Sequence, residues 1–443
     1  MTDSSTPNIQ LEVSPSPAFI DEEVRIFVHG LRSGEPVSIA ATAEDDNKRR
    51  WKSYAEFRAD AEGHVELAAQ ESRGGSYRGK SPMGLLWSMT LAAGHANGNA
   101  AFAKNDTLPN SVVLEVKVGE KVAASAAFER RFLADGTATR DLTIGDGETH
   151  STVGRLFIPP GPAPHPAVIV LSGSGGGFDL DKAAVLSRHG FAALALAYFG
   201  IPPLPAWLHR IPLEYFEAAM GWLAAQPEVD PDRIGAVGVS RGAELALLLA
   251  ATFPRIHPVV AYAPSHVAWA AGGRDKATGE IIPTWTYRGA TLPFVPLPLR
   301  RFMLRSAVPV VALKRPVIFR SLFRAGLRSP EAVSSAVIPV EQIRGPILLV
   351  SGGDDHVWPA GEMSEAIVAR LKQHRFAHKV ERLHYPRAGH MLRYPYLPTT
   401  SRGSRNPHLR NARFSFGGSA ESDAEAQADS WRRGIAFLRA GLR

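Results

Sequence analysis

The chain has 443 residues, 45% of them hydrophobic, 21% charged and none cysteine. That is length for two or three domains with a large core, and the composition excludes wholesale disorder. Without cysteine there is no disulfide, no thiolate-bound zinc, no iron–sulfur cluster and no cysteine nucleophile. The net charge of +7 is uneven: residues 1–145 carry 16 basic and 20 acidic side chains, leaving +11 for the remainder.

The first ten residues, MTDSSTPNIQ, lack the basic-then-apolar pattern of a secretory leader. No run approaches the roughly 18 apolar residues of a membrane helix. The expectation is a cytoplasmic protein without a membrane span.

Residues 10–145 read as an all-β domain. Short alternating runs (LEVSPSP, EEVRIFVHG, PVSIAATAED, GHVELAAQE, SVVLEVKVG) are separated by turn residues at the spacing of a β-sandwich. From about residue 150 to the end the pattern changes. Apolar runs (HPAVIVLSG, FAALALAYFG, RIGAVGVS, HPVVAYAPS, PILLVSGG, KVERLHYP) alternate with helical stretches at 213–227, 241–253, 361–373 and 424–440. Near-continuous apolar strands alternating with helices predict a parallel sheet covered on both faces. Residues 266–340, rich in proline and arginine, interrupt the alternation as an inserted cap would. Residues 286–330 hold nine basic side chains and no acidic one: Arg288, Arg300, Arg301, Arg305, Lys314, Arg315, Arg320, Arg324 and Arg328. Such a cluster either attracts an anionic substrate or forms a solvated face. No nucleic-acid motif accompanies it. Ser401–Arg413 reads as an exposed polar loop.

The sharpest motif is Gly238-Val239-Ser240-Arg241-Gly242, between the strand RIGAV and the helix AELALLLAA. This is the G-x-S-x-G nucleophile elbow in the context it requires. The turn is tight, so the flanking positions must lack side chains, and it lifts the Ser240 hydroxyl above the sheet. It also aims the Arg241 backbone N–H at a developing oxyanion. The loop Ser172–Gly177 follows the strand PAVIVL, where α/β-hydrolases draw their second oxyanion donor; Gly175 is the expected one. The base follows last in the chain, which selects His390, in Arg387-Ala388-Gly389-His390 after KVERLHYP. His384 lies within that strand and is expected to be packed or exposed. The acid comes from Gly353-Asp354-Asp355-His356-Val357-Trp358-Pro359. Both aspartates are candidates, and spacing to Pro359 favours Asp355. A metal set of Asp354, His356 and His390 is the minor alternative; no metal or cofactor is expected.

With these motifs placed, the chain resembles the acyl-CoA thioesterase and bile acid-CoA:amino acid N-acyltransferase family. The resemblance covers nearly the whole chain. It rests on LEVSPSPAFIDEEVRIFVHGL, GSYRGKSPMGLLWSM, FIPPGPAPHPAVIVLSGSGGGFDLDKAAVLSRHGFAALALAYFG, GVSRGAELAL, GGDDHVWP, YPRAGHMLRYPYLP and FGGSAESDAEAQADSWRRGIAFL. It implies an N-terminal immunoglobulin-like β-sandwich followed by an α/β-hydrolase domain. It implies a nucleophile–Asp–His triad at Ser240, Asp355 and His390, acting on acyl-CoA thioesters. Hydrolysing members use serine and conjugating members cysteine, so the serine here favours hydrolysis. Arg300, Arg301 and Arg305 are the candidates to meet CoA phosphates. A carboxylesterase, or a transacylase using an amine or alcohol acceptor, is the alternative. A non-catalytic scaffold is the reading from outside the enzymes.

Overall fold

The computed structural model describes residues 8–92, 101–144, 151–307, 315–406 and 412–443, with the backbone alone at 151, 152, 305–307, 405, 406 and 412. The chain divides into two compact units. The first comprises Met1–Leu133, Tyr394–Ser404 and Ser419–Ala428; the second comprises Ala134–Arg393, Arg405–Gly418 and Asp429–Arg443.

The first unit is built on two sheets. Gln10–Ser14, Arg25–His29 and Val65–Glu66 form an antiparallel three-stranded sheet. The other has seven strands around an antiparallel ladder of Lys121–Arg131, Asn110–Val118, Pro36–Glu44 and Arg50–Arg58. Period-two burial drives it: Val37, Ile39, Ala41 and Ala43 point inward, as do Trp51, Ala55 and Phe57 on the neighbouring strand. The strands at Arg50–Arg58 and Lys121–Arg131 were not among the expected runs. The first interleaves Arg, Lys and Glu with its apolar residues. The second is alanine-rich and mostly solvent-facing, so its β-propensity is weak, whereas the first carries the alternation and the aromatics Trp51, Tyr54 and Phe57 of a half-buried strand.

The second unit is organised by one sheet of eight strands: β1 (Ala138–Ile144), β2 (Ser151–Ile158), β3 (His165–Leu171), β4 (Ala192–Leu196), β5 (Val229–Val239), β6 (Ile256–Tyr262), β7 (Ile347–Gly352) and β8 (Val380–Tyr385). Their spatial order is β1-β2-β4-β3-β5-β6-β7-β8. β1 and β2 are antiparallel, and β3 to β8 are parallel. This is the α/β-hydrolase arrangement. Because β1 pairs with β2, the segment from Ala134 belongs to this unit rather than to the first.

The sheet is flanked by α1 (Leu180–Arg188), α2 (Leu213–Ala224) and α3 (Arg241–Thr252). The insertion between β6 and β7 holds α4 (Leu299–Ala307), α5 (Arg320–Gly326) and α6 (Pro330–Ala336), and α7 (Ala360–Gln373) and α8 (Ala420–Gly441) follow it. The helix α3 is buried from Arg241 to Ala251. Its Leu245, Leu247 and Leu249 are fully covered, each contributing about 1.5–3 kcal/mol. The helix α6 starts where Ser329 accepts a hydrogen bond from Ala332 N–H with Pro330 at its first position. No described helix is long and apolar enough to cross a membrane. The carboxyl ends of the parallel strands share one edge, where ligands bind in open α/β sheets.

Candidate active site

Ser240 stands at the carboxyl end of β5 with φ 57 and ψ −119, a conformation that side chains rarely adopt. Such a backbone costs about 1–3 kcal/mol and persists only where the surroundings enforce it. The enforcement is visible. Ser240 N–H donates to Tyr262 O at 2.8 Å, and its carbonyl accepts from the amides of Ala243 and Glu244. A Cβ on Gly238 would lie 2.0 Å from Gly242 O, and one on Gly242 would lie 2.4 Å from both Leu171 O and Ser172 O. Both glycines of the motif are therefore steric necessities. The serine is 7% exposed.

The amides of Arg241 and Gly242 lie in the first turn of α3, where no intrahelical acceptor exists. In the loop after β3, Gly176 and Gly177 adopt φ of 69 and 66, and their amides donate to Gly173 O and Phe199 O. Gly173 lies against the nucleophile: a Cβ there would sit 3.4 Å from Ser240 Cβ. The Cβ direction of Gly175 meets nothing within 4 Å.

Asp355 follows β7 and His390 follows β8, at the same sheet edge as Ser240. His390 Nδ1 donates to Asp355 Oδ2 at 2.7 Å, and both side chains are buried. The other carboxylate oxygen of Asp355 accepts from Val357 N–H at 2.8 Å and Trp358 N–H at 3.1 Å. The aspartate is thus held from three directions and orients the imidazole through its Nδ1. Trp358 closes the other flank edge-on, 6.0 Å from the imidazole centroid.

Asp354 does something else. Its Oδ1 pairs with His356 Nε2 at 3.1 Å and its Oδ2 accepts from Gly418 N–H at 2.9 Å. His356 Nδ1 meets Ser415 Oγ at 2.9 Å. Asp354, His356 and His390 therefore do not converge on one point. Among the described residues no group of three possible ligands could hold a metal ion. His384 sits in β8, 3.1 Å from Ser351 Oγ through Nδ1.

Two features went unread in the sequence. The segment Phe414–Gly418 locks the acid and histidine loops together: Phe416 O accepts from His356 N–H and from His390 N–H, the latter at 2.9 Å. Gly417 has φ 79, and a Cβ there would run into Asp354 O. A Gly-Gly pair just before a long helix was the available signal. The second feature is the Arg241 side chain, which is buried rather than free. It pairs with Glu244 at 2.8 Å and donates to Thr284 Oγ1 at 2.6 Å and Trp269 O at 3.1 Å. Glu244 also accepts from Trp285 Nε1 at 2.7 Å and Trp269 N–H at 3.2 Å. Burial pushes the Glu244 carboxyl up, and Arg241 with these donors pulls it back.

The basic stretch 286–330 is not one patch. Arg324 pairs with Glu362, Arg320 donates to Gly353 O, and Arg288 lies over the Tyr287 ring. Arg300 and Arg301 are exposed on the first turn of α4. The side chain of Arg305, and Lys314, lie outside the described residues.

The family model for the BAAT / acyl-CoA thioester hydrolase C terminal matches residues 211–443. The acyl-CoA thioester hydrolase/BAAT N-terminal region matches residues 21–144. The chain belongs to the BAAT/acyl-CoA thioester hydrolase family. Among its relatives in the family is acyl-coenzyme A thioesterase 1 of Mus musculus, 34% identical over 95% of this chain and 94% of its own length. Human mitochondrial acyl-coenzyme A thioesterase 2 is 32% identical over 95% and 82%. The peroxisomal succinyl-coenzyme A thioesterase of Mus musculus is 30% identical over 94% and 93%. A solved structure of a putative dienelactone hydrolase from Klebsiella pneumoniae is similar with TM-score 0.41 and 16% identity, over 69% of this chain and 99% of its own.

Proposed function

We propose that this protein hydrolyses acyl-CoA thioesters through an acyl-serine intermediate. The observation that carries the reading is the buried 2.7 Å bond between His390 Nδ1 and Asp355 Oδ2, at the same sheet edge as a strained serine in a G-x-S-x-G turn. Membership of the family and relatives named acyl-coenzyme A thioesterases supply the substrate class.

In this mechanism His390 Nε2 removes the proton of Ser240 as the hydroxyl oxygen attacks the thioester carbonyl. The amide of Arg241 and one from the loop after β3, with Gly175 first in line, hold the oxyanion. The tetrahedral intermediate collapses, the carbon–sulfur bond breaks, and the thiol leaves with the proton held on His390. A water then gives its proton to His390 and attacks the acyl-serine. Collapse of the second intermediate returns that proton to Ser240 and frees the acid. Asp355 holds the imidazole in the tautomer that can accept a proton and stabilises its charged form. The first unit is read as an immunoglobulin-like sandwich ending at Leu133, short of the expected boundary at 145, a reading supported by its two sheets and alternating burial. Residues 150–443 are the catalytic domain, with a cap over about 266–340.

The test is thiol release over a panel of acyl-CoAs, each matched to a simple oxyester, with wild type and Ser240→Ala. CoA release that disappears in the variant is the expected result. Turnover of oxyesters alone makes the protein a carboxylesterase. Product that forms only with an added amine or alcohol makes it a transferase.

A further inference from the structure

We infer that a cavity in the inserted region between β6 and β7 binds the phosphorylated nucleotide end of the CoA ester; this rests on the thioester reading above. The cavity has a volume of about 440 Å³, within the usual range of small-molecule sites. Its lining divides by chemistry. Ala271, Ile281, Leu297 and Leu299 supply apolar surface, and Arg274, Arg300 and Arg301 supply charge. Among the described residues no acidic side chain lines it.

The three guanidiniums come from two distant segments that only the fold brings together. Among the described residues none of the three has a carboxylate partner. Arg274 spends one donor on Gly279 O at 2.7 Å. Other arginines of this unit are neutralised: Arg324 by Glu362, Arg210 by Asp275, Arg241 by Glu244. Three unpaired like charges around one concavity repel one another until a polyanion occupies it. The planar guanidinium fork matches phosphate oxygens two at a time. The apolar wall beside it suits the face of a purine. A phosphorylated adenine nucleotide has both parts, and a fatty acyl chain has neither charge.

The position agrees. Arg241, the residue after Ser240, donates to Trp269 O. Two residues on, a span of at most about 7 Å, Ala271 lines the cavity, and its N–H donates to Ile282 O beside Ile281. The segment that forms the cavity wall is therefore tied, two residues before Ala271, to the residue that follows the nucleophile. A substrate with its reactive carbonyl at Ser240 and its charged end here needs a flexible linker between the two. An acyl-CoA has one, and a simple ester does not.

The experiment titrates adenosine 3′,5′-bisphosphate into wild type, Arg274→Gln and the double variant Arg300→Gln/Arg301→Gln by calorimetry, with a thermal melt of each. Binding is expected to weaken at least tenfold in each variant and to fall with salt. The ratio of kcat/KM for an acyl-CoA to that for the same acyl group on N-acetylcysteamine is expected to fall at least tenfold. If the double variant does not fold, Arg274→Gln carries the test from the other segment. A wild type that does not bind the nucleotide, or variants that bind as tightly, overturns the assignment. CoA release lost in Ser240→Ala, together with nucleotide binding unchanged in the arginine variants, sinks the cavity alone. CoA release that survives Ser240→Ala sinks the serine mechanism instead, whatever the titration gives.

Discussion

The guanidinium of Arg241 lies 2.8 Å from the carboxylate of Glu244, one turn further along the same helix, and neither side chain is more than 8% exposed. Arg241 is the residue next to the nucleophile in the chain. The pair ties α3 to the inserted region through Trp269, Thr284 and Trp285. A buried pair of this kind contributes little net stability against an apolar replacement, yet breaking it from one side leaves a charge without a partner.

Arg241→Ala is accordingly expected to cost about 3–5 kcal/mol. The double variant Arg241→Ala/Glu244→Gln should recover part of that loss, because a neutral amide needs no counter-charge. Urea unfolding of the three proteins checks it. A double variant no more stable than the single one removes the electrostatic explanation.

Asp355 and Asp354 are neighbours in sequence with different partners. Asp355→Asn turns an amide towards His390 and favours the tautomer that cannot take the proton of Ser240. We expect kcat/KM for acyl-CoA hydrolysis to drop by on the order of 10⁴-fold. Asp354→Asn should cost less than about tenfold, since Asp354 bonds to His356 and Gly418 instead. Equal losses in the two variants would contradict the assignment.

The glycines separate in the same way. Gly238→Ala and Gly242→Ala drive a methyl group into backbone carbonyls. Each should destabilise by more than about 3 kcal/mol or yield no soluble protein. Gly175→Ala, whose added carbon meets nothing within 4 Å, should leave the melting temperature within a few degrees. Soluble yield and thermal melts distinguish them.

His266 supplies a pH dependence. Burial pushes its imidazole down to about 4, and its Nδ1 is buried without a hydrogen-bond partner. The folded protein therefore holds it neutral, while the unfolded chain takes up a proton below about pH 6.5. Between about 6.5 and 4 the unfolded state binds more protons, so this contribution is full above that window and is lost as pH falls through it. At pH 5 the loss is about 2 kcal/mol. Unfolding free energies at pH 8 and pH 5 should differ by about that much less in His266→Gln than in wild type. The same difference in both proteins would assign the acid sensitivity elsewhere.

Much of the chemistry was legible before any coordinates. The turn at Ser240 is a constraint within five residues, and steric rules read it directly. The parallel strands of the second unit are nearly all apolar because both faces are covered, so their runs stand out. The helix Leu180–Arg188 and the strands Arg50–Arg58 and Lys121–Arg131 were missed. They are short or mix charge with apolar residues, and both strands are held as hairpins by the strand just before them, Pro36–Glu44 and Asn110–Val118.

By itself, then, the order of residues determined the α/β class of the second unit, the nucleophile turn and the two loops that follow the last strands. Each is encoded by spacing, local sterics or a run of apolar side chains. Only the tertiary structure decided that Asp355 rather than Asp354 meets His390, that Phe416 binds their two loops together, and that Arg241 is spent on a buried carboxylate. It alone gathered Arg274 with Arg300 and Arg301 around one cavity. These relationships join residues from about 3 to 60 positions apart. They depend on where the strands of a shared sheet deliver their loops, which no local pattern of side chains records.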